Sequence, residues 1–369
     1  MPQATRIGGS HPNGLEIAGV PVAIMPCAKV FYVHDNDTTS PHASDGNAGT
    51  SANKPLATLD AAVGKCTANA GDIIILLPGH TEAISVADGA DLDVAGIKVI
   101  GLGKGSDMPT MDFTAAAGTV PIGAANVTVE NVRFLANVTT ITGGLVVEDG
   151  INHAHIKGCR FEVDAAGTDE FNASIRFVNN NNYCIVEDCY IDMGIAAAVA
   201  GIHLDADVDN MIIRRCHIQG DYSSGNILGD TTLSTNLLIE DCLLIQGEAG
   251  DIGTVAGITL LTGTHGVIRN IDIVANLATP DLSIVADTMF RFGNRYSETI
   301  AGAWAHEIEP QSPDSTYNFI GVDDADNVAA TTNVVANRDG SLLERTEFLM
   351  DQVSGVDGAT NVLGADDAD

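Results

Sequence analysis

The sequence is poor in positive charge. Lys and Arg together number 17 against 49 Asp and Glu, which gives the 369-residue chain a formal net charge of −32. A surface of this kind repels the phosphate backbone of nucleic acids, so we expect no nucleic-acid partner. The same charge favours solubility and would suit bound cations.

Aromatic residues are also scarce, at 5% of the chain, whereas glycine occurs 39 times and hydrophobic residues make up 45%. A bulky globular core needs more large side chains than this. Thin, repeated layers of small and β-branched residues fit the composition better.

The sequence lacks a long uninterrupted apolar run. Residues Met1–Ser10 contain no basic segment leading into an apolar one, and the stretch Ala18–Val33 is broken by Pro21 and Pro26. These features predict neither a signal peptide nor a membrane span. We therefore expect synthesis in a cytoplasm and no membrane partner.

Motifs for common cofactors and nucleophiles are missing too. The seven cysteines form no CxxC pair and no zinc-like cluster, so we expect free thiols. No GxSxG nucleophile motif occurs, and Gly101-Leu-Gly-Lys-Gly105 matches neither phosphate-loop pattern. The sequence predicts no catalytic, cofactor-binding or metal-binding residues.

An internal repeat is present. Six segments share one pattern and align on single anchor residues spaced 26–30 residues apart, in stretches rich in β-branched residues. Such a period is typical of one coil of a β-solenoid. The anchors are Val132, Cys159, Cys189, Cys216, Cys242 and Ile271.

The alignment columns behave as stacked positions. The column three residues before the anchor is always β-branched, and the column two residues after it is always large and apolar, from Phe134 to Ile273. The column two before the anchor alternates in charge. It reads Glu130, Lys157, Glu187, Arg214, Glu240 and Arg269. Opposite charges on adjacent parallel strands attract, so this order predicts direct stacking of successive coils.

A second strand recurs about 14 residues before the anchor, as in Gly144–Val147 and Gly201–Leu204, and Asn, Asp and Gly fill the joints. The four anchor cysteines are expected to stack as free thiols, because parallel side chains in a ladder rarely reach disulfide torsions. We predict an all-β chain folded as a right-handed parallel β-helix.

The pattern divides the chain into three parts. Residues 1–50 lack a period and are predicted to form an extended N-terminal arm or anchor. Residues 51–300 are predicted to form the β-helix, opened by a capping helix within Asn53–Cys66. Residues 301–369 are predicted to form a C-terminal extension.

Within this extension, Gln311–Val328 is expected to be a linker. Ser341–Val353 is expected to form a short helix with Ser341 as its N-cap, followed by an acidic tail over Gly355–Asp369.

The opening segments resemble a known superfamily. Lys54–Ala62, Gly71–Glu82 and Val99–Gly103 resemble the start of pectin-lyase-like β-helix proteins, and with Ala125–Val132 they are similar to β-helix proteins encoded by tailed phages. Asn333–Arg345 also resembles segments at the ends of phage virion proteins. The resemblance implies a homotrimer carried on the particle as a capsid decoration, fibre or spike.

Many pectin-lyase-like proteins cleave polysaccharides, so the resemblance makes carboxylates that share one face candidate catalytic residues. The candidates on one face are Glu187, Asp188, Glu240 and Asp241. Arg214 and Arg215 stand between them, and a neighbouring cation holds a carboxylate ionised. The sequence therefore favours a permanent ion ladder over an active site here.

The remaining polar candidates are interpreted as structural. Gly263–Arg269 resembles polygalacturonase elements only in part, because Thr264 separates the glycine from His265. His265 is expected to be a corner residue, and His80 and Glu82 are expected to shape the first coil. Calcium binding by Asp205–Asp209 or Asp323–Asp326 is the alternative to having no metal.

The sequence thus predicts a trimeric virion structural protein rather than an enzyme, attached to other virion proteins through its N-terminal arm and aiding host-surface attachment. Two alternatives stay open. One is a depolymerase, either lyase or glycoside hydrolase, acting on a host surface glycan. The other is a non-catalytic glycan-binding adhesin.

Overall fold

The computed structural model describes residues 15–17, 20–22, 28–35, 42–164, 169–194, 198–248, 251–276, 284–285, 289–297, 305–307, 319–322 and 328–330. Over these residues the chain forms an all-β parallel solenoid of about eight turns. Successive coils add strands to three long sheets, so that neighbouring strands in a sheet come from neighbouring coils.

Sheet 1 contains ten described strands: β3 (Val30–Val33), β4 (Ile73–Leu76), β6 (Lys98–Gly101), β9 (Thr128–Glu130), β12 (His155–Lys157), β16 (Ile185–Glu187), β20 (Ile212–Arg214), β23 (Leu237–Glu240), β27 (Gly266–Arg269) and β30 (Phe290–Phe292). Sheet 3 contains seven: β8 (Val120–Ile122), β11 (Leu145–Val147), β14 (Ala173–Phe177), β18 (Ala200–Leu204), β22 (Gly225–Gly229), β26 (Ile258–Leu260) and β29 (Ile284–Val285).

Sheet 2 has a parallel part and an antiparallel end. The parallel strands are β5 (Thr81–Ile84), β7 (Thr110–Phe113), β10 (Arg133–Ala136), β13 (Arg160–Val163), β17 (Tyr190–Asp192), β21 (His217–Gly220), β24 (Leu243–Glu248), β28 (Asp272–Val274) and β31 (Arg295–Ser297). The antiparallel strands are β25 (Asp251–Ile252), β32 (Ala305–Glu307), β33 (Phe319–Val322) and β34 (Val328–Ala330). Two small pairs complete the strands: parallel β15 (Asn181–Asn182) with β19 (Val208–Asp209), and antiparallel β1 (Leu15–Ile17) with β2 (Val20–Val22).

The predicted inward columns are confirmed. Val129, Ile156 and Val186 are direct partners in sheet 1, and the same column continues through Ile213 and Ile239 with every side chain at most 2% exposed. In sheet 2, the rings of Phe134 and Phe161 stack with centroids 4.7 Å apart, which is the spacing of adjacent strands. Repetition of the same buried residue type in each coil therefore builds the continuous core.

The cysteine column is also confirmed for the described thiols. Cys159, Cys189, Cys216 and Cys242 are buried, and each thiol donates to the backbone carbonyl two residues earlier, at 3.2–3.5 Å. These four are free, as are Cys66 and Cys184. Burial raises the pKa of the Cys189 thiol well above its ordinary value, so this thiol stays protonated and unreactive.

Corners of the coil repeat as regularly as the strands. The residue before each anchor has left-handed backbone angles, which Asn, Asp and Gly tolerate better than other residues. One position departs from this rule. Arg215 adopts φ 51° in the column otherwise occupied by Asn131, Gly158, Asp188, Asp241 and Asn270.

The N-terminal end differs from the prediction in two respects. β3 belongs to sheet 1, so the solenoid begins inside the segment expected to be an arm. The capping helix expected within Asn53–Cys66 is not supported at that length. A helix, α1, covers only Leu59–Val63, packs on β3 and β4, and ends at Gly64. A single turn with a glycine at its end cannot present the seam that the apolar spacing suggested.

The C-terminal end also differs in part. β33 and the first residue of β34 lie in the stretch Gln311–Val328 that was expected to be a linker, and both extend sheet 2 in the antiparallel sense. An apolar run such as Phe319–Val322 satisfies its backbone groups by pairing with the sheet edge. The predicted helix Ser341–Val353 and the acidic tail lie outside the described residues, as does most of the predicted arm.

Candidate functional site

The outer face of sheet 1 carries the predicted charge ladder. Glu130 pairs in register with Lys157, which pairs with Glu187, and the register continues through Arg214, Glu240 and Arg269. The stacking of acids and bases predicted from the sequence is therefore confirmed. The sequence did not show that Glu187 would have more basic partners than Glu240 in the same column.

Glu187 is the centre of the ladder. Its carboxylate accepts hydrogen bonds from Arg214 Nε and Arg215 Nη2, both at 2.8 Å, and lies 3.0 Å from His155 Nε2. Only 5% of the residue is exposed. Burial alone would raise the pKa of this carboxyl, but the hydrogen bonds from Arg214, His155 and Arg215 outweigh burial and lower the pKa to about 2.

The other three candidate carboxylates are also occupied. Arg269 Nε donates to Glu240 at 2.8 Å, and Arg215 Nε donates to Asp188 at 2.7 Å. Asn270 donates its amide to Asp241 at 3.1 Å. A proton donor for glycoside cleavage needs a raised pKa, and Glu187, the most buried acid of the ladder, has the opposite. The ladder is suited to holding coils together.

The predicted corner and first-coil residues occupy structural positions. His80 is fully buried with its Nε2 3.2 Å from the Glu82 carboxylate, and Leu59 donates its backbone N–H to that carboxylate at 2.8 Å. Glu82 thus ties the start of α1 to β5. His265 is exposed, and its backbone pairs with Ser234 and Leu237.

The calcium hypothesis gains no support from the loop Asp205–Asp209 alone. Asp209 accepts hydrogen bonds from the Thr235 backbone and hydroxyl, while Asp205 pairs with Arg176. In the part of the chain that the structure describes, the acids of this loop form no three-carboxylate group within ligand distance. Asp323–Asp326 lies outside the described residues.

A second polar surface, not identified from the sequence, lies on the outer face of sheet 2. We call it the Asp112 face. Its outward positions follow two columns in register, one residue and three residues after the anchor. It consists of Thr110, Asp112, Arg133, Leu135, Arg160, Glu162, Tyr190, Asp192, His217 and Gln219.

Side chains along this face are connected from coil to coil. Arg160 lies over the Tyr190 ring at 4.9 Å and its guanidinium is 2.7 Å from Glu162. Tyr190 meets the His217 ring edge-on at 5.0 Å and donates its hydroxyl to Asp192 at 3.0 Å. Planar rings beside fixed carboxylates and a guanidinium are groups that commonly bind polar ring-shaped ligands such as sugars.

Asp112 is the exceptional carboxyl of this face. Its Oδ1 is buried and has no hydrogen-bond partner among the residues that the structure describes. Burial raises the pKa of the Asp112 carboxyl, and the charge of Asp164 adds to this effect, while the hydrogen bond with Asn137 and the charge of Arg133 oppose it. The pKa shift of Asp112 is therefore opposite in direction to that of Glu187, although both carboxyls lie on outer faces of the solenoid.

The geometry allows a carboxyl pair. Asp112, Leu135 and Glu162 occupy one column of sheet 2, with Leu135 between the two acids. Two strand spacings place the backbones of Asp112 and Glu162 roughly 9.6 Å apart. Inverting glycosidases hold their two carboxyl groups about 6.5–9.5 Å apart, so the side chains of Asp112 and Glu162 would have to incline slightly towards each other to leave room for a water molecule and a sugar.

The comparisons with known proteins add little about activity. No family model matches the sequence, and no curated protein matches it. Two solved structures match the chain in the structural comparison: ORF18 of Geobacillus virus E2 (12% identity, covering 76% of this chain and 74% of that chain, TM-score 0.38) and a GH136 lacto-N-biosidase from Eubacterium ramulus (11% identity, 73% and 67%, TM-score 0.31). Within the described residues, no helix has the length and apolar character needed to span a bilayer.

Proposed function

We propose that the chain is a structural component of a phage virion that assembles as a homotrimer and helps to attach the particle to the host surface. The observation that carries this proposal is the unbroken register of sheet 1. Ten described strands stack in this sheet, and the six from β9 to β27 place an acid beside a base in each successive coil. Repeated buried columns give a stiff rod, and stiffness is what a fibre, spike or decoration requires.

The sequence resemblance to tailed-phage β-helix proteins supports the virion location. In this proposal the segment before β3 joins other virion proteins, and α1 with the chain around it closes the first coil. The right-handed sense of the coil, expected for parallel crossover connections, belongs to the same proposal. Contact with a host glycan would use the Asp112 face, where Tyr190 and Arg160 offer a ring and a guanidinium.

Two measurements test this proposal on the full chain. Sedimentation equilibrium should give three times the 38.2 kDa chain mass. Gold-labelled antibodies against the chain should decorate intact particles in electron micrographs. A monomeric protein that remains in the supernatant after the particles are sedimented would contradict the proposal.

A second candidate function rests on Asp112. The buried, unpartnered Oδ1 and the raised pKa are features of a general acid. In a glycoside hydrolase of this kind, Asp112 would protonate the glycosidic oxygen while Glu162 took a proton from the attacking water. The bond from the sugar carbon to the leaving oxygen breaks as the bond to water forms, which inverts the configuration.

Incubation of the protein with host capsule or exopolysaccharide, followed by measurement of new reducing ends, decides this second candidate. If it is correct, Asp112→Asn lowers the rate at least about 100-fold, while Glu130→Gln on sheet 1 has no effect. Cleavage that is equal in both variants, or no cleavage by the wild type, excludes Asp112 as the acid. Release of unsaturated uronates would indicate a lyase instead.

A further inference from the structure

Three ligand-type side chains converge at one corner of the coil, outside both faces described above. His203 points outward from β18, Asp205 follows the same strand, and Asp230 follows β22 in the next coil. His203 Nε2 lies 3.1 Å from Asp230 Oδ1 and 4.0 Å from Asp205 Oδ1. The three ligand atoms all lie within 4.8 Å of one another.

A fourth oxygen completes the group. The Thr231 hydroxyl lies 3.2 Å from Asp205 Oδ1 and 3.2 Å from Asp230 Oδ1. A hydroxyl has one proton, so it can donate to only one of these two carboxylates at a time. Asp205 Oδ1 and Asp230 Oδ1 are directed towards one point, and His203 Nε2 faces the same point.

The charge pattern at this corner differs from that of the sheet 1 ladder. Leu204 and Gly229 are partners in sheet 3, so the residues that follow them, Asp205 and Asp230, come from adjacent coils. Like charges on neighbouring strands destabilise each other. In the sheet 1 ladder, by contrast, an acid in one coil is followed by a base in the next. Arg176 pairs with the other oxygen, Oδ2, of Asp205, which leaves Oδ1 directed to the cluster.

We propose that His203, Asp205 and Asp230 bind one divalent metal ion of the zinc class, with Thr231 beside it and water in the remaining position. In a tetrahedral site, bonds of about 2.0–2.2 Å to nitrogen and oxygen ligands place neighbouring ligand atoms about 3.3–3.6 Å apart. The distances of 3.1 and 4.0 Å approach this arrangement, and small rotations of Asp205 would complete it. An imidazole ligand favours Zn²⁺ or Co²⁺ over Ca²⁺, which prefers oxygen ligands.

Such an ion would link two successive coils. It would replace the repulsion between Asp205 and Asp230 by attraction to a common cation, and Arg176 would act as an outer partner that orients Asp205. The site is partly open, since the Asp230 side chain is 50% exposed. The metal is thus exchangeable and is not required for the core to form.

Isothermal titration calorimetry of the metal-stripped full chain with ZnCl₂ tests the proposal. We expect one site with a micromolar Kd, and at least about 30-fold weaker binding in His203→Ala and in Asp230→Asn. Asp207→Asn is the matched control, because Asp207 lies in the same loop but outside the cluster. His153→Ala controls for zinc binding to an exposed histidine.

Cobalt gives a second readout that does not depend on stability. Bound Co²⁺ should produce visible absorption bands that His203→Ala abolishes and Asp207→Asn retains. Circular dichroism without metal checks that each variant is folded. Zinc binding that is unchanged in both cluster variants overturns the proposal, as does Ca²⁺ binding that requires Asp207 and not His203.

Discussion

Two outer faces of the same solenoid carry acids two coils apart in one column, yet the two faces shift the pKa of an acid in opposite directions. On sheet 1, Glu187 is surrounded by Arg214, Arg215 and His155, and its pKa falls to about 2. On sheet 2, burial raises the pKa of Asp112, whose Oδ1 has no hydrogen-bond partner in the described part of the chain. Stacking brings side chains together in both cases, and the identity of the neighbour decides whether a carboxyl stabilises the coil or is available for chemistry.

The largest effect is expected from removing the centre of the ladder. Glu187→Ala should lower the free energy of unfolding by about 2–3 kcal/mol. Breaking a fully buried ion pair costs roughly 3–5 kcal/mol, and the cost is smaller here because the Arg214 and Arg215 side chains are 34% and 44% exposed. Urea unfolding followed by circular dichroism measures the difference.

Glu240→Ala provides the comparison within the same column. Glu240 is 8% exposed and accepts its hydrogen bonds from a single guanidinium, that of Arg269. We expect it to lose about half as much stability as Glu187→Ala. Equal losses would mean that burial, and not the number of cationic partners, sets the contribution of each acid.

The ladder also predicts a pH dependence. The pKa of Glu187 is lower in the folded chain, at about 2, than its ordinary value of 4.5. Its contribution is therefore present above pH 4.5 and is lost as the pH falls towards 2. Between pH 4.5 and pH 2, the free energy of unfolding of the wild type should fall by about 2 kcal/mol more than that of Glu187→Gln.

Unfolding midpoints in urea at pH 5, 4, 3 and 2.5 measure this dependence. Glu130→Gln, in the same column, controls for the loss of one charge. If the curves of wild type and Glu187→Gln run parallel down to pH 2.5, the ion pairs around Glu187 do not contribute to stability.

Much of this fold could be predicted because the repeat aligns residues that really stack. Six anchors gave the register of the ladder, of the cysteine column and of the inward columns, since a shift of one residue would expose every β-branched side chain. The apolar spacing in Asn53–Cys66 overestimated the helix, because local spacing does not show where Gly64 ends it.

The candidate sites were less predictable for physical reasons. Asp112 lies in a coil before the first recognised repeat. Its pKa depends on burial and on the nearby charge of Asp164, and a pattern along the sequence shows neither of these. The His203 cluster needs Asp230, which follows β22. That strand reads Gly225-Asn-Ile-Leu-Gly229 and lacks the residues by which the other sheet 3 strands were recognised.

On the Asp112 face, the contribution of the Tyr190 hydroxyl to stability can be separated from that of its ring. Tyr190→Phe removes the hydroxyl that Tyr190 donates to Asp192, but it keeps the ring between Arg160 and His217. We expect a loss of about 1 kcal/mol, the usual size for one hydrogen bond. Thermal unfolding measures it, and Tyr183→Phe, at an exposed corner, should change stability by much less.

The smallest effect should have the opposite sign to that of the ladder. Because the folded chain raises the pKa of Asp112, the benefit of the neutral carboxyl is present at low pH and is lost as the pH rises and Asp112 ionises. Asp112→Asn removes that charge and should stabilise the fold at pH 7 by about 0.5 kcal/mol, with no gain at pH 3. Urea unfolding midpoints of wild type and variant measure the stability change at pH 7 and at pH 3. A destabilised variant at pH 7 would mean that the ionised carboxylate has a favourable partner, and the contrast between the two faces would then disappear.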